Sequence, residues 1–236
     1  HVCNRRDAHH VMIPARLEHR LRLGEQLLYL GHIQLVDDDD IQAVISVLQS
    51  NWLTTGPQVA QFEQAICKYT GAMHGVAVNS GTAALHAALH ALGIAEGDEV
   101  IVPAITFAAT SNSVLYCGAK PVFADVSTDT LLIDIESIEE NITSKTKAII
   151  AVDYAGHPCD WDALKDIAQK HNLSLVADSC HAIGAEYKGR KIGTLADITV
   201  FSFHPVKHIT TGEGGMAVTN DTILAEKMRA FRSHGI

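Results

Sequence analysis

Leu175-Val176-Ala177-Asp178-Ser179-Cys180-His181 is the stretch that decides the architecture. Three apolar residues give way at once to a carboxylate, a hydroxyl, a thiol and an imidazole. A short apolar run of this kind fits a strand buried on both faces, with its reactive end where the chain leaves the sheet. Upstream, residues 160–171 carry an apolar face at helical spacing, and residues 173–178 form the strand that follows. The alternation repeats outward. Strands are expected at 75–79, 99–102, 121–124 and 146–152, with helices at 81–92 and 106–116. Beyond the central stretch, 198–203 and 215–219 read as strands and 222–232 as a helix. Repeated strand–helix alternation implies an α/β fold, a three-layer αβα arrangement around a mainly parallel sheet.

Two helices precede this series. Asp37 to Asp40 stand before Ile41, Val44, Ile45 and Leu48, an apolar face at helical spacing behind an acidic first turn. Four aspartates can suggest calcium, but the glycine and alternating ligands of a calcium loop are missing, so capping is the better reading. Val59, Phe62, Ile66 and Tyr69 mark the second helix after the Gly56-Pro57 turn.

The chain has 236 residues, 47% of them hydrophobic, enough for one large core. Its net charge is −9 and no basic stripe runs along it, which argues against nucleic acid or an anionic membrane as partner. No apolar run approaches the roughly 20 residues that span a bilayer. Five cysteines without a C-x-x-C pair argue against disulfides or a zinc ribbon and for a reducing cytoplasm. Fourteen histidines are scattered, and no metal site is expected. Residues 1–28 contain Arg5, Arg6, Arg16, Arg20 and Arg22 without an apolar signal core, and read as a poorly ordered extension.

Three segments place reactive groups at strand ends, where ligands of open α/β sheets gather. In Val78-Asn79-Ser80-Gly81-Thr82, small residues turn a strand into a helix. The free N–H groups there either hold a phosphate or are simply capped. Asp178 is either a solvated cap or the partner of a protonated pyridine nitrogen, the pairing that makes pyridoxal phosphate (PLP) an electron sink. Lys207, in Phe201-Ser202-Phe203-His204-Pro205-Val206-Lys207-His208, is either a surface group or an amine placed over a bound aldehyde.

Taken together and in this order, five stretches resemble the DegT/DnrJ/EryC1/StrS sugar aminotransferases, a family of fold-type I PLP enzymes. They are residues 79–85 (NSGTAAL), 103–112 (PAITFAATSN), 177–185 (ADSCHAIGA), 201–207 (FSFHPVK) and 210–215 (TTGEGG). The resemblance runs from about Tyr29 to the end. Within the family, VDYAGHP at 152–158 and FRSHGI at 231–236 look most like the transaminases of pseudaminic acid synthesis.

The resemblance implies a PLP-dependent transferase-like large domain over 29–236, with the smaller C-terminal domain of relatives absent. It implies Lys207 as the Schiff-base and proton-carrying lysine and Asp178 at the pyridine nitrogen. Gly81, Thr82 and Ser202 would lie at the phosphate, Phe107 would stack on the ring and His181 would lie by its hydroxyl. Asn51, Trp52, Leu53 and Thr54 would meet substrate. The implied reaction transfers an amino group from L-glutamate to C4 of a UDP-linked 4-keto-6-deoxy-N-acetylhexosamine, in a cytoplasmic homodimer. Two alternatives stay open. One is a related dehydratase, in which histidine replaces the lysine; here His208 merely follows it. The other is a truncated, inactive remnant. Gly31 stands where relatives carry an aromatic residue, which puts one substrate contact in question.

Overall fold

The computed structural model describes residues 36–235. The extension at 1–28 and the departure at Gly31 lie outside the described residues.

Helix α1 (Asp38–Leu48) starts with a reciprocal cap. Asp37 accepts from the Asp40 N–H, and the Asp40 carboxylate accepts from the Asp37 N–H, both at 3.1 Å. The aspartates therefore cap, as their position suggested. Helix α2 (Pro57–Thr70) opens with Pro57 in its first turn, where a missing N–H costs nothing, and ends at Gly71 with φ 82°. Phe62 packs edge-on against Phe203 at 5.0 Å, and Ile66 is fully buried.

The remaining chain winds β1 (His74–Val78), α3 (Gly81–Ala91), β2 (Glu99–Pro103), α4 (Ala108–Tyr116), β3 (Lys120–Ala124), α5 (Ile135–Asn141), β4 (Thr146–Val152), α6 (Trp161–His171) and β5 (Ser174–Asp178). A small hairpin follows, β6 (Glu186–Tyr187) with β7 (Arg190–Lys191), then β8 (Ile198–Ser202), β9 (Gly215–Thr219) and α7 (Thr222–Arg232). The main sheet has seven strands in the order β1-β9-β8-β5-β4-β2-β3. Only β9 runs against its neighbours.

Alternation along the strands divides the core in two. Ile149, Ala151, Leu175 and Ala177 join Ile66, Trp161, Leu164 and Ile167 on one face. Ala148, Ile150, Val176, Val200 and Ala217 join Ala84, Ala88, Leu89 and Met228 on the other. Both faces are covered, so the strands read as continuous apolar runs. No described helix is long and apolar enough to cross a membrane.

The differences from the sequence expectation have local causes. The helix expected from 106 begins at Ala108, because Phe107 is extended (φ −72°, ψ 141°) and serves as the cap. Helix α5 and the β6–β7 hairpin were not anticipated, being short and largely polar.

Helix α3 sits close to the sheet because its inward positions are alanines: Ala84, Ala87, Ala88 and Ala91 are at most 1% exposed. Its start abuts Gly215, where a Cβ would overlap the Ser80 carbonyl and sit 2.7 Å from the Gly81 nitrogen. Gly215→Ala should therefore destabilise the protein by ~1–3 kcal/mol, read from urea unfolding, since neither backbone can give way freely. An unchanged midpoint would mean that α3 is not seated there.

Candidate active site

The carboxyl ends of β1, β2, β4, β5 and β8 open onto one edge of the sheet. Ser80 caps α3 there, its Oγ accepting from the Ala83 N–H at 3.1 Å. The N–H groups of Gly81 and Thr82 have no acceptor within the helix. A Cβ on Gly81 would lie 3.0 Å from both Cys180 Sγ and Ser202 Cβ. The helix start, the end of β5 and the end of β8 thus meet around a space that only glycine leaves open. Ser202 is 8% exposed, and its hydroxyl accepts from the His204 N–H at 3.4 Å. Open N–H donors, a hydroxyl and a helix N-terminus favour a phosphate, the last by up to ~2 kcal/mol.

Asp178 ends β5 and is 6% exposed. Its Oδ2 accepts from Thr110 Oγ1 at 2.7 Å, and its Oδ1 from the Cys180 N–H at 3.4 Å. Thr110 has one proton, spent on Asp178, so the 2.7 Å contact with Thr106 has Thr106 as donor. This hydroxyl chain ties the Phe107 loop to the carboxylate. Among the described residues no cation forms an ion pair with Asp178. A buried carboxylate so lightly satisfied suits a cationic N–H partner.

Lys207 lies half-buried in the turn after β8, its N–H bonded to the His204 carbonyl at 2.9 Å. Its charge is felt where that of Asp178 is felt. Burial mainly pushes His181 below its ordinary value; Lys207 lowers it further and Asp178 opposes. Burial mainly pushes the Cys180 thiol well up; Asp178 adds to this and Lys207 opposes. Strands β5 and β8 are parallel neighbours, with Asp178 in register with Val200, so Asp178 and the Lys207 turn leave the sheet at the same edge. The Phe107 ring, 76% exposed, stands on the β2 side of that edge.

The proposed substrate residues are placed differently. Asn51, Trp52, Leu53 and Thr54 occupy the exposed connection between α1 and α2. Trp52 is 59% and Leu53 71% exposed, and the Trp52 N–H bonds locally to Ser50 Oγ at 3.0 Å. No hydrogen bond of these four residues reaches the strand-end cluster.

Sequence reasoning missed Asp153, Thr110, Thr106 and Cys180. It also passed over the H-x-x-x-H spacing of His86 and His90 on α3 and of His204 and His208. The rings of His86 and His90 pack against Phe231, at 4.9 and 4.4 Å, and no group of three or more metal-binding side chains occurs among the described residues.

Asp153, one residue past β4, is fully buried. Burial is the main reason that its carboxyl is pushed up from 3.8 to about 6, against the pull of its hydrogen bonds. The folded protein thus binds this proton more tightly than the unfolded chain does. The stability it contributes is complete below about pH 4 and is lost as pH rises through about 6, a difference of ~3 kcal/mol. Asp153→Asn removes that dependence. Its stability relative to wild type should rise by up to ~3 kcal/mol between about pH 4 and pH 8, read from urea unfolding. A constant difference across that range would contradict the buried ionisation.

Residues 34–236 match the DegT/DnrJ/EryC1/StrS aminotransferase family. The chain belongs to this family. It is 45% identical over 201 residues to the UDP-4-amino-4-deoxy-L-arabinose–oxoglutarate aminotransferase of Shewanella sediminis, covering 85% of this chain and 52% of that protein. The structure of Helicobacter pylori PseC, an aminotransferase of pseudaminic acid biosynthesis, superposes with a TM-score of 0.81 at 43% identity. That match covers 86% of this chain and 55% of PseC. Spr1654 of Streptococcus pneumoniae in its PLP form gives a TM-score of 0.83 at 37% identity, over 86% of this chain and 57% of its own. The chain spans about half the length of the curated relatives it matches, 52% in each case.

The strand-end residues fit the family's cofactor. The Gly81 cradle, with Thr82 and Ser202, suits the phosphate. The buried Asp178 carboxylate suits the ring nitrogen, and Lys207 is a primary amine on the same edge.

Proposed function

We propose that this protein is a PLP-dependent aminotransferase acting on a nucleotide-linked keto sugar. The observation that carries the reading is the common edge. A buried carboxylate without an ion-pair partner among the described residues ends β5, and the lysine follows the end of its parallel neighbour β8.

Bound PLP supplies an electron sink for a carbanion at the amino donor's α-carbon. The chain supplies the rest. Gly81, Thr82 and Ser202 hold the phosphate. Asp178 accepts a hydrogen bond from the ring nitrogen and keeps it protonated. Phe107 covers the ring face, and His181 lies by its hydroxyl. Lys207 would present its Nζ amine to the cofactor's aldehyde and would move a proton at the amino donor's α-carbon. Asn51, Trp52, Leu53 and Thr54 approach the sugar.

The substrate we favour is a UDP-linked 4-keto-6-deoxy-N-acetylhexosamine, aminated at C4 with L-glutamate as donor. That is the reaction of a UDP-4-amino-4,6-dideoxy-N-acetyl-β-L-altrosamine transaminase in pseudaminic acid synthesis, carried out by a cytoplasmic homodimer. The likeness to PseC supports the sugar. The name of the Shewanella relative, an oxoglutarate aminotransferase, supports a glutamate donor. A lysine rather than a histidine at 207 favours transamination over dehydration.

The test is spectroscopic. Purified protein mixed with PLP should turn yellow, and L-glutamate should then bleach that band with release of 2-oxoglutarate. Adding the UDP-linked keto sugar should restore the band and yield the amino sugar. A yellow protein that glutamate leaves unchanged would overturn the aminotransferase reading.

A further inference from the structure

Asp153 has no role in the chemistry described above, yet it is fully buried beside the carboxylate on which that chemistry rests. Strands β4 and β5 are parallel neighbours, with Val152 in register with Asp178. Asp153 therefore emerges from β4 where Asp178 emerges from β5. Its backbone N–H donates to the Asp178 carbonyl at 3.1 Å. Its Oδ2 accepts from Ser179 Oγ at 2.6 Å. One residue thus grips the chain on both sides of the peptide bond that follows Asp178. Its Oδ1 is itself anchored, accepting from the Cys159 N–H at 2.9 Å and from Trp161 Nε1 at 3.2 Å. Trp161 is fully buried at the head of α6. The anchorage runs from a rigid helix, through Asp153, to the peptide that aims Asp178.

We propose that Asp153 is the positioning residue for Asp178, fixing the end of β5 so that the Asp178 carboxylate meets the cofactor's ring nitrogen. Asp178 cannot aim itself. Its own side-chain bonds are the Thr110 hydroxyl and contacts from the Cys180 N–H and thiol. These hold only if the turn after β5 keeps its shape. Placement matters because a hydrogen bond weakens steeply once donor and acceptor lose alignment. The raised ionisation of Asp153 fits its buried place behind Asp178, whose charge adds to the shift caused by burial.

The proposal rests on the PLP reading, and its test separates the two. Asp153→Ala and Asp153→Asn are compared with wild type for PLP affinity and for the pH midpoint of the bound chromophore. Asparagine can accept from Cys159 N–H and Trp161 Nε1 and donate to Ser179 Oγ, so it preserves the grip. Asp153→Ala should weaken PLP binding by about tenfold or more and shift the chromophore midpoint. Asp153→Asn should restore affinity to within about threefold of wild type. A folded Asp153→Ala protein with wild-type affinity and midpoint would overturn the proposal. Equal loss in both variants would also overturn it, since the grip would then not be what matters. If Asp153→Ala does not fold, Ser179→Ala carries the test, because it releases one side of the grip; unchanged PLP affinity would overturn the proposal. A wild-type protein that fails to bind PLP would sink the cofactor reading instead. The positioning claim would then be decided by the crystal structure of cofactor-free Asp153→Ala or Ser179→Ala. Loss of the 2.7 Å Thr110–Asp178 bond is expected, and its retention would overturn the proposal.

Discussion

Lys207→Ala is expected to abolish covalent capture of PLP. Wild-type protein treated with PLP and then borohydride should gain one pyridoxyl mass. The variant should gain none at the same cofactor concentration, and should still hold PLP through the proposed phosphate and ring contacts. Turnover should fall by at least ~10³-fold, because in the proposed reaction the same amine carries the proton as well as the aldehyde carbon. Nearby cations do not substitute. His208 is adjacent in sequence, but an imidazole forms no stable equivalent of a lysine Schiff base. His181, whose imidazole burial mainly holds below its ordinary value, forms no Schiff base either. A variant that still accepts one borohydride-stable pyridoxyl group would move the reactive amine elsewhere.

Asp178→Ala has the second largest expected effect, and it should show differently. At ~4 Å and an effective dielectric near 20, a carboxylate and a pyridinium attract by about 4 kcal/mol, which sets the upper end of the loss at ~10³-fold in turnover. The aldehyde chemistry at Lys207 should survive, so borohydride should still fix the cofactor. The signature is a protein that captures PLP but works poorly with it. Its chromophore should also titrate at lower pH than in wild type, since the ring nitrogen gives up its proton more easily without a carboxylate beside it. If Asp178→Ala keeps wild-type turnover and midpoint, the carboxylate does not face the ring.

Much of the fold is legible in the sequence because the strands carry a strong local signal. The runs at 146–152 and 174–178 are largely apolar and are followed at once by polar residues, and 198–202 is followed by Phe203 and then His204. That pattern puts Asp178 and Ser202 near strand ends, and the small residues after the 75–79 run do the same for Gly81. The family resemblance adds roles that spacing leaves open. What cannot be read depends on sheet order. Asp153 looks like any polar residue after a strand, and its grip on Ser179 exists only because β4 and β5 are neighbours. Thr110 looks like an ordinary helix residue until α4 brings it to Asp178. The reversed direction of β9 is equally hidden. The segment 215–219 reads as a strand, but nothing within it says which way it runs.

The substrate side is the least legible. Helix α1 has no buried residue, and Ile41, Val44 and Leu48 are 47–66% exposed. The Asn51–Thr54 connection that follows is exposed as well. Their proposed role rests on the family likeness, whereas that of Asp178 rests on burial and hydrogen bonding. The two kinds of support lead to different mutational expectations. Trp52→Ala should raise the KM for the sugar and leave PLP binding untouched.

The central claim is that one pyridine ring lies between the amine of Lys207 and the carboxylate of Asp178. A crystal structure of the protein grown with PLP tests it most directly. Density should run continuously from Lys207 Nζ to the cofactor's aldehyde carbon, with the ring nitrogen ~2.7–2.9 Å from an Asp178 oxygen and the phosphate on the Gly81–Thr82 turn. A cofactor bound elsewhere, or one joined to Lys207 whose ring nitrogen points away from Asp178, would contradict it.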